Sequence, residues 1–504
     1  MNYYGSSGTP NLWFNGGHHI VGAGSDAASG EGYMDIIRSH YFDAAPIRID
    51  IDSFNPTTGA VSATVTMYST TTSISSENFH IVLTEDDVPP ASPGGEDATH
   101  VTRDIFSDTI TLTGAGNTAV FNHTFTINPA WNTSHLRVAA FVQLADQTII
   151  QVGTADPVPD FRVRAMVPGT RSTIGNSSGI FETDAVTVIN VGLGETFEIS
   201  AVIDEAPPGW TVAFKDSVGT THTTPLSFGL STEESTTFKA VVQPASPGYM
   251  RYSLVVTSVN LAKDLVIPFV YITDDVDVLV VDDDGGEAYE DYFTAALDTA
   301  GKSYGVWDRG TSQLTTEVSD TFDVLVWNVG FAFPTLDADD QTFLTGFLDD
   351  GKSLFLSGQD VGWDLNSGNP SVAWYHNYLH ADYIRDDTNI MDVYGVADDP
   401  ITDGLDLRIT GGDGASNQEY PDEIEPADGD ATQILNYQST QGTYGAAIRS
   451  TDSVSGAQVV YLGFGFEGID NAQDRHDLLV PAVRWLLGII FEDGFESGDN
   501  GAWN

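Results

Sequence analysis

Six oxygen-bearing side chains in the C-terminal half of the 504-residue chain could together bind a hard metal cation. An apolar run at 276–281 ends in three consecutive aspartates, the run at 322–330 carries an asparagine near its end, and the run at 352–360 ends in a Gln-Asp pair. If these runs are parallel strands, their carboxyl ends share one sheet edge, where such sheets bind ligands. Carboxylate and amide oxygens suit Ca²⁺, which takes about six to eight of them. We therefore expect a calcium site formed by Asp282, Asp283, Asp284, Asn328, Gln359 and Asp360.

Other chemistries have weaker signals in this part of the chain. Asp283 and Asp284 precede a helical pattern, so they could instead cap that helix and complement its dipole. Paired carboxylates can act as acid and base in glycoside hydrolysis, but acidic residues are so frequent here that chance pairing is expected. The GxSxG pattern of serine hydrolases is missing around Ser357. His376 and His380 have the i, i+4 spacing of zinc ligands, but an asparagine replaces the glutamate of a metallopeptidase motif.

The acidic triplet lies inside a strand–helix–strand pattern at 276–309. Apolar residues between 289 and 300 recur at the spacing of one helix face, Gly301 ends the helix, and a second strand is predicted at 303–307. Such a unit builds a parallel sheet. Further strands are predicted at 322–330 and 352–360, and helices at 337–349, 371–383 and 474–487. The alternation predicts a doubly wound, three-layer α/β domain over 273–490.

Two regions before this domain alternate between apolar and polar residues. Seven short β-rich runs between 45 and 167 are separated by Gly, Asn, Asp and Pro, which predicts an antiparallel β-sandwich over 43–167. Residues 168–272 repeat the pattern, and the string GYMRYSLVVTS resembles the late strands of Ig-like modules beside exported bacterial enzymes. The predicted fold class is therefore multidomain, with two all-β Ig-like sandwiches and one α/β doubly wound domain.

Composition excludes several classes of function. The chain has 72 acidic and 19 basic residues and a formal net charge of −53, which argues against nucleic acid and anionic membrane surfaces as partners. This charge suits an extracellular protein in calcium-containing water, although a simply solvated surface would look the same. Since there is no cysteine, disulfides and thiolate chemistry are excluded. No signal peptide and no membrane-inserted segment are predicted.

The α/β domain resembles a known family through several strings in order: VDDDGGEAYEDYFTAALD, SGQDVGWDL, NYLHADYIRDDT, GGDGASNQEYPDEI and YLGFGFEGI. Together they look like a glutamine-amidotransferase-like (flavodoxin-like) module that occurs in exported bacterial proteins, including some metallopeptidases. The family's catalytic Cys would lie on the strand–helix turn at 357–362, where this chain has SGQDVG. The resemblance therefore implies the fold without amidotransferase chemistry.

Both ends of the chain also carry resemblances. Residues 1–42 resemble the end of a thioredoxin-like domain, with a predicted strand at 11–14 and a helix in GEGYMDIIRSHYF; an irregular N-terminal cap is the alternative. The tail at 491–504 resembles a GFESGD motif found at the ends of exported bacterial proteins, where it acts as an address or attachment signal. A thioredoxin-like end followed by the sandwich at 43–167 resembles bacterial outer-membrane-associated lipoproteins. This combination and the tail both imply an extracellular or cell-surface location.

These expectations together describe a non-catalytic structural, adhesive or accessory protein stabilised by Ca²⁺. Its expected partners are other proteins or further copies of the chain, as in a surface filament built through sandwich edge strands, and surface polysaccharide is a further class. The alternative is a secreted hydrolase, or the ancillary region of an exported peptidase, that uses the acidic strand ends with a metal.

Overall fold

The computed structural model describes residues 11–14, 18–21, 45–68, 73–88, 100–155, 161–167, 170–261, 263–310, 312–439 and 442–488. They belong to two compact units, of which the first contains the described residues up to Arg162 and the second begins at Val163. Near the N-terminus β1 (Asn11–Phe14) pairs antiparallel with β2 (His18–Val21), so the predicted first strand is present. The rest of the predicted thioredoxin-like remnant at 1–42, with its helix, and the tail at 491–504 lie outside the described residues.

The first unit contains a β-sandwich made of two antiparallel sheets, in the orders β3-β4-β7 and β6-β5-β8-β9. Apolar residues alternate along β4 so that every second side chain is buried. Phe79 of one sheet stacks on Phe121 of the other with ring centroids 4.0 Å apart. The seven runs predicted from sequence correspond to β3 (Ile47–Phe54), β4 (Ala60–Met67), β5 (Ser73–Glu85), β6 (Val101–Thr113), β7 (Thr118–Thr124), β8 (Leu136–Gln143) and β9 (Ile149–Thr154).

The second unit begins with another sandwich, whose sheets have the orders β10-β13-β18-β15-β16, with β12 also on β18, and β11-β20-β19-β14-β17. Phe228 and Phe238 meet between the two sheets, with centroids 5.1 Å apart. The strands are β10 (Val163–Met166), β11 (Ser172–Gly175), β12 (Phe181–Glu182), β13 (Val186–Asn190), β14 (Glu195–Glu205), β15 (Thr211–Lys215), β16 (Thr221–His222), β17 (Leu226–Leu230), β18 (Ser235–Gln243), β19 (Tyr249–Thr257) and β20 (Leu265–Thr273).

The remainder of the second unit alternates strands and helices before it becomes mainly β. In chain order its elements are β21 (Val278–Asp282), α1 (Glu290–Thr299), β22 (Tyr304–Asp308), α2 (Thr316–Thr321), β23 (Val324–Gly330), α3 (Ala338–Asp349), β24 (Ser353–Gly358), α4 (Val361–Trp363), a π-helical turn (Asp364–Gly368), α5 (Val372–Leu379), β25 (Ala381–Arg385), β26 (Asp392–Gly395), β27 (Asp406–Arg408), β28 (Glu423–Pro426), β29 (Ala431–Ser439), β30 (Gly442–Thr451), β31 (Gln458–Leu462), a 3₁₀ turn (Phe466–Gly468) and α6 (Ala472–Leu486).

Five parallel strands form the centre of this domain, in the order β22-β21-β23-β24-β31. Numbered along the chain, this order is 2-1-3-4-5. Successive residues of these strands point to opposite sides of the sheet, and residues on both sides are buried. Helices therefore cover both faces. Phe355 of β24 contacts Phe293 of α1 on one face, and Trp327 of β23 contacts Phe343 of α3 on the other.

The sheet continues beyond the parallel strands with antiparallel partners, in the order β31-β30-β29-β26-β27. The doubly wound arrangement predicted for 273–490 therefore does not extend to the antiparallel strands β26, β27, β29 and β30. The reason is connection length, because a parallel neighbour needs a crossover of a dozen or more residues, whereas β29 and β30 are separated by two. Among the described residues, no helix is both long enough and apolar enough to cross a membrane.

Besides its own core, the second sandwich contributes three buried residues to the hydrophobic core of the α/β domain. Tyr249, Val270 and Ile272 of the sandwich belong to the cluster that contains β21, β22 and α1. Gly305 of β22 approaches Ile272 so closely that a Cβ there would lie 2.3 Å from that side chain. In the same contact the ring of Tyr249 in β19 lies 5.9 Å from that of Tyr304 in β22.

Candidate cation site at the sheet edge

The three consecutive aspartates do not point the same way. Asp282 is the last residue of β21, and alternation along the strand places Asp282 and Asp284 on one side and Asp283 on the other. After them Gly285 and Gly286 adopt φ values of 82° and 89°, a left-handed backbone that favours glycine. This turn leads directly into α1, whose first residue is Glu290.

Asp282, Asp284 and Glu290 form a compact group of carboxylates, called the edge cluster below. One oxygen from each lies within 4.8 Å of the others. Asp284 is 3% exposed and accepts hydrogen bonds from the backbone N–H groups of Gly286 (3.0 Å) and Tyr289 (2.9 Å). Asp284 thus binds amides of the turn before α1, but the N-cap residue of this helix is Tyr289, so neither Asp283 nor Asp284 occupies the N-cap position.

Arg251 of β19 supplies positive charge to the edge cluster. Its guanidinium donates to Glu290 Oε1 at 2.9 Å and to Glu205 Oε2 at 3.2 Å. Glu290 is 5% exposed, and its second oxygen, Oε2, is buried without a hydrogen-bond partner in the part of the chain that the structure describes. When all three carboxylates are ionised, their negative charge exceeds what Arg251 can balance, because this guanidinium is shared with Glu205.

Electrostatics in the edge cluster disfavour three simultaneous negative charges. Burial of its carboxyl group raises the pKa of Asp282 well above the ordinary range, and the charges of Asp284 and Glu290 raise it further. Burial likewise raises the pKa of Asp284 to about 7. Without a cation the cluster therefore retains protons that a solvated aspartate would release. A hard divalent cation would displace those protons, and three carboxylate oxygens suit such an ion.

Asp283 belongs to a separate network on the opposite face of the sheet. Its Oδ2 accepts a hydrogen bond from Trp327 Nε1 at 3.0 Å. Burial raises the pKa of Asp283 well above its usual range, Asp340 raises it further, and Arg309 lowers it. Arg309 in turn donates to Asp340 at 2.6 Å and to Asp337 at 3.0 Å. Asp283 is thus paired on the far side and does not join the edge cluster.

Asn328 and Gln359 are both buried and serve as hydrogen-bonding groups. Asn328 donates from Nδ2 to Asp284 Oδ2 (3.3 Å), while its Oδ1 accepts from Gly330 (3.1 Å). Gln359 donates to the carbonyl of Asn417 and accepts from two amides of the same loop, those of Glu419 and Tyr420. Asn328 therefore supports the edge cluster, and Gln359 fixes the loop at 417–420.

Asp360 contributes to a different group, with Asp386 and Asp422, in which one oxygen from each again lies within 4.8 Å of the others. Burial raises the pKa of Asp360 to about 7, and Asp386, Asp364 and Asp387 add to the effect. The six predicted ligands are therefore divided among at least three environments. Only Asp282 and Asp284 come together with their oxygens in one cluster.

Sequence reasoning missed three carboxylates of these two groups and the arginine that pairs with one of them. Glu290 lies one turn beyond the acidic triplet, and its place at the start of a helix could have been found from the same pattern. Arg251, Asp386 and Asp422 come from distant strands and loops, and no local spacing relates them to β21 or β24. Their positions depend on the core to which both domains contribute and on the antiparallel extension of the sheet.

The other residues considered from sequence have structural partners. Ser357 is fully buried, donates to the carbonyl of Phe464 (3.1 Å) and accepts from the amide of Phe466 (2.7 Å). His380 ends α5 and pairs with Asp428 at 2.8 Å, whereas His376 lies 3.4 Å from the side chain of its neighbour. Each of the two histidines therefore has a separate polar neighbour, and their i, i+4 spacing stays a weak signal for zinc.

Comparison with known proteins gives little further identification. No family model matches the chain, and no curated protein matches it. Among solved structures, a conjugative transposon lipoprotein from Bacteroides eggerthii is 15% identical, covers 23% of this chain and 98% of its own, and has a TM-score of 0.17. The CARDB domain of a Pyrococcus furiosus protein in complex with di-metal ions is 17% identical, with 24% and 94% covered and a TM-score of 0.16.

A trypsin-activated α-2-macroglobulin from Escherichia coli is 12% identical, covers 46% of this chain and 18% of its own, and has a TM-score of 0.17. TM-scores this low carry no argument about fold or function. The β-sandwich description therefore rests on the sheets themselves and on their separate cores.

Proposed function

We propose that this protein is a calcium-stabilised, non-catalytic accessory or adhesive protein that works outside the cell. In this proposal the two sandwiches are Ig-like modules and the α/β domain is a flavodoxin-like, amidotransferase-like unit that has kept its fold for binding or support. The strand order 2-1-3-4-5 supports the flavodoxin-like assignment, since that order is one of the two common doubly wound arrangements. The net charge of −53 supports an environment rich in divalent cations.

The edge cluster is the observation that carries this proposal. Two of its carboxylates are almost fully buried, and Glu290 Oε2 has no hydrogen-bond partner among the described residues. A buried, unpartnered carboxylate oxygen is costly unless something binds it. Because Arg251 of the sandwich is bonded to the same glutamate, a calcium ion here would stabilise the contact between the sandwich and the α/β domain.

The non-catalytic part of the proposal follows from the groups available at the sheet edge. The chain has no cysteine for the amidotransferase turn, and both hydrogen-bonding positions of Ser357 are used by the loop after β31. The hydrolase alternative has less support. Asp284 accepts hydrogen bonds from two backbone amides and Asn328, and Glu290 is bonded to Arg251, so both carboxylates already have structural partners.

Thermal unfolding of the full chain in EGTA and in millimolar Ca²⁺, with metal analysis of the purified protein, tests the proposal. We expect Ca²⁺ to raise the Tm by several degrees, since a ligand that binds only the native state stabilises it. Asp282→Asn and Glu290→Gln should reduce this calcium-induced rise. Glu287→Gln is the matched control, because Glu287 is exposed in the same turn and belongs to no cluster.

The quantity compared is the calcium-induced rise in Tm, not the Tm itself, because Glu290→Gln also removes the ion pair with Arg251. An equal rise in wild type, Asp282→Asn and Glu290→Gln would remove the edge cluster from the proposal. Hydrolysis of a glycoside or peptide substrate that is lost in Asp282→Asn would favour the hydrolase alternative instead.

A further inference from the structure

A second group of carboxylates, separate from the edge cluster, lies where β24 turns into α4. Asp360 follows β24, Asp386 follows β25, and Asp422 precedes β28. One oxygen from each lies within 4.8 Å of the other two. Three carboxylates from three separate segments therefore converge on one point, which is called the turn cluster below.

Asp422 is the central member of the turn cluster. The residue is 0% exposed, and its Oδ2 accepts hydrogen bonds from the backbone N–H groups of Gly362 (2.7 Å) and Trp363 (3.2 Å). Its Oδ1 is buried and has no hydrogen-bond partner in the described part of the chain. The same is true of Asp386 Oδ1. Two buried acceptor oxygens in one group thus lack a donor, and a bound cation would satisfy both.

The charges around the turn cluster are of one sign. The charged side chains that act on Asp360 are Asp364, Asp386 and Asp387, and all are acidic. Arg385, the cation next to Asp386 in the sequence, is bonded instead to Glu423 at 2.6 Å. The edge cluster has an arginine as an internal counter-ion, whereas the charges that act on Asp360 are all negative. The need for an external cation is correspondingly greater here.

The turn is shaped to admit Asp422. Asp360 adopts the left-handed conformation with φ 64°, which brings the chain sharply from β24 into α4. A Cβ at Gly362 would lie 2.8 Å from Asp422 Oδ2 and 2.9 Å from the ring of Tyr383, so any larger residue would push the carboxylate out. Asp360 and Asp386 are partly exposed. The site is therefore closed on the side of Asp422 and open to water on the other.

We propose that Asp360, Asp386 and Asp422 bind a second hard divalent cation of the calcium class, with water in the coordination positions that face solvent. Carboxylate oxygens are the ligands that such cations prefer, and an ion with several water ligands tolerates a site with three protein groups. The proposal does not depend on the edge cluster, since the two groups share no residue.

Isothermal titration of the full chain with CaCl₂, and separately with MgCl₂, tests this site. Asp422→Asn retains the shape of the side chain and an oxygen for the two amides but removes the charge. We expect it to weaken one binding event at least about tenfold, because losing even an outer-shell partner of a metal site costs about 10–100-fold in affinity. Asp382→Asn is the matched control, because Asp382 is exposed in the adjacent β25 and is outside the cluster.

Asp386→Asn provides a second variant if Asp422→Asn does not fold, since Asp386 is partly exposed and its Oδ1 makes no hydrogen bond among the described residues. Titrations in a Glu290→Gln background separate the two sites: the event lost in Asp386→Asn or Asp422→Asn should persist there. The proposal is overturned if wild-type protein binds neither cation, or if folded Asp386→Asn protein binds with the affinity of Asp382→Asn protein.

Discussion

The buried carboxylates at the carboxyl edge of the sheet differ in the groups that face them, and this difference decides what each can do. Asp283 accepts a hydrogen bond from the Trp327 indole, and burial raises its pKa while the nearby Arg309 lowers it. Glu290 faces Arg251 with one oxygen only. Asp422 faces two backbone amides and two further carboxylates. We therefore propose cation binding at the carboxylates around Glu290 and around Asp422, and not at Asp283.

Glu467 is a buried carboxylate whose hydrogen-bond donors are neutral side-chain amides. Asn417 and Gln418 both donate to its Oε1, at 2.7 and 3.0 Å, and its Oε2 has no partner in the described residues. Burial raises its pKa above the ordinary value of 4.5. The folded protein thus holds this proton more tightly than the unfolded chain, and the contribution of Glu467 to stability falls as the pH rises above about 4.5.

Glu467→Gln should therefore reduce the loss of stability between pH 5 and pH 8, because glutamine keeps the accepting oxygen and carries no charge. Each unit of the raised pKa corresponds to about 1.4 kcal/mol. The measurement is Tm against pH for wild type and variant, with Glu425→Gln as an exposed control. A decline of equal size in wild type and Glu467→Gln would contradict the assignment of this pH dependence to Glu467.

Site residues could be predicted to meet only where they lie close together in the sequence. The acidic end of β21 was visible in the sequence, and Asp282 and Asp284 do meet there. Asp283 could have been separated from them by the alternation of a strand. Gln359 and Asp360 were placed at the correct strand end, but their partners come from 386–422, a region whose path no periodicity reveals.

At the scale of elements, the strands between 278 and 358 and the helices α1 and α3 lie close to their predicted positions because hydrophobic periodicity and turn residues agree. Helix α3 shows why. Its predicted start at 337 coincides with Asp337, whose Oδ1 accepts from the amides of Asp339 (2.8 Å) and Asp340 (2.9 Å). The Asp340 carboxylate accepts a hydrogen bond from the backbone amide of Asp337 at 2.9 Å, which completes a capping box.

Asp337→Ala should destabilise the α/β domain by about 1–2 kcal/mol, since removal of an N-cap residue costs roughly that amount. Asp337→Asn is the matched variant, because asparagine can still accept the two amide hydrogen bonds while losing the charge that faces Arg309. We expect Asp337→Asn to cost less than Asp337→Ala. Calorimetric unfolding of the transition that contains the α/β domain measures both. Equal losses would assign the effect to the ion pair and not to the cap.

Other elements could not be predicted, for a physical reason. The short helix α2 has only one fully buried apolar residue, Val318, so it carries almost no periodic signal. Between β25 and β30 the sequence predicts β-rich runs that coincide with β27, β29 and β30, but not their pairing, which is fixed by turn lengths and by tertiary contacts. The two sandwiches were easier, because alternation along strands such as β4 and β8 is regular.

At the scale of the whole molecule, the main observation is that the second sandwich contributes to the core of the α/β domain and shares an ion-pair network with it. Arg251 is the polar centre of that contact. It lies over the ring of Tyr249 at 5.7 Å, and its guanidinium joins Glu205 of the sandwich to Glu290 of α1. The sequence offered no way to connect a strand of one predicted domain to a helix of the next.

Arg251→Met should destabilise this part of the protein by roughly 3 kcal/mol, because removing one partner of a buried pair leaves an uncompensated charge behind. It should also enlarge the calcium-induced rise in Tm, since three carboxylates would then lack their internal counter-ion. Arg408→Met is the control: Arg408 pairs with Asp392, both side chains are about half exposed, and such surface pairs contribute about 0–1 kcal/mol.

The two readouts of Arg251→Met separate packing from charge. A lower Tm in EGTA, largely restored by millimolar Ca²⁺, would mean that the arginine and the calcium ion balance the same carboxylates. A loss that Ca²⁺ does not restore would mean that Arg251 acts mainly through its packing on Tyr249 and its bond to Glu205. In that case calcium would not be what stabilises the contact between sandwich and α/β domain, and the function proposed for the edge cluster would fail with it.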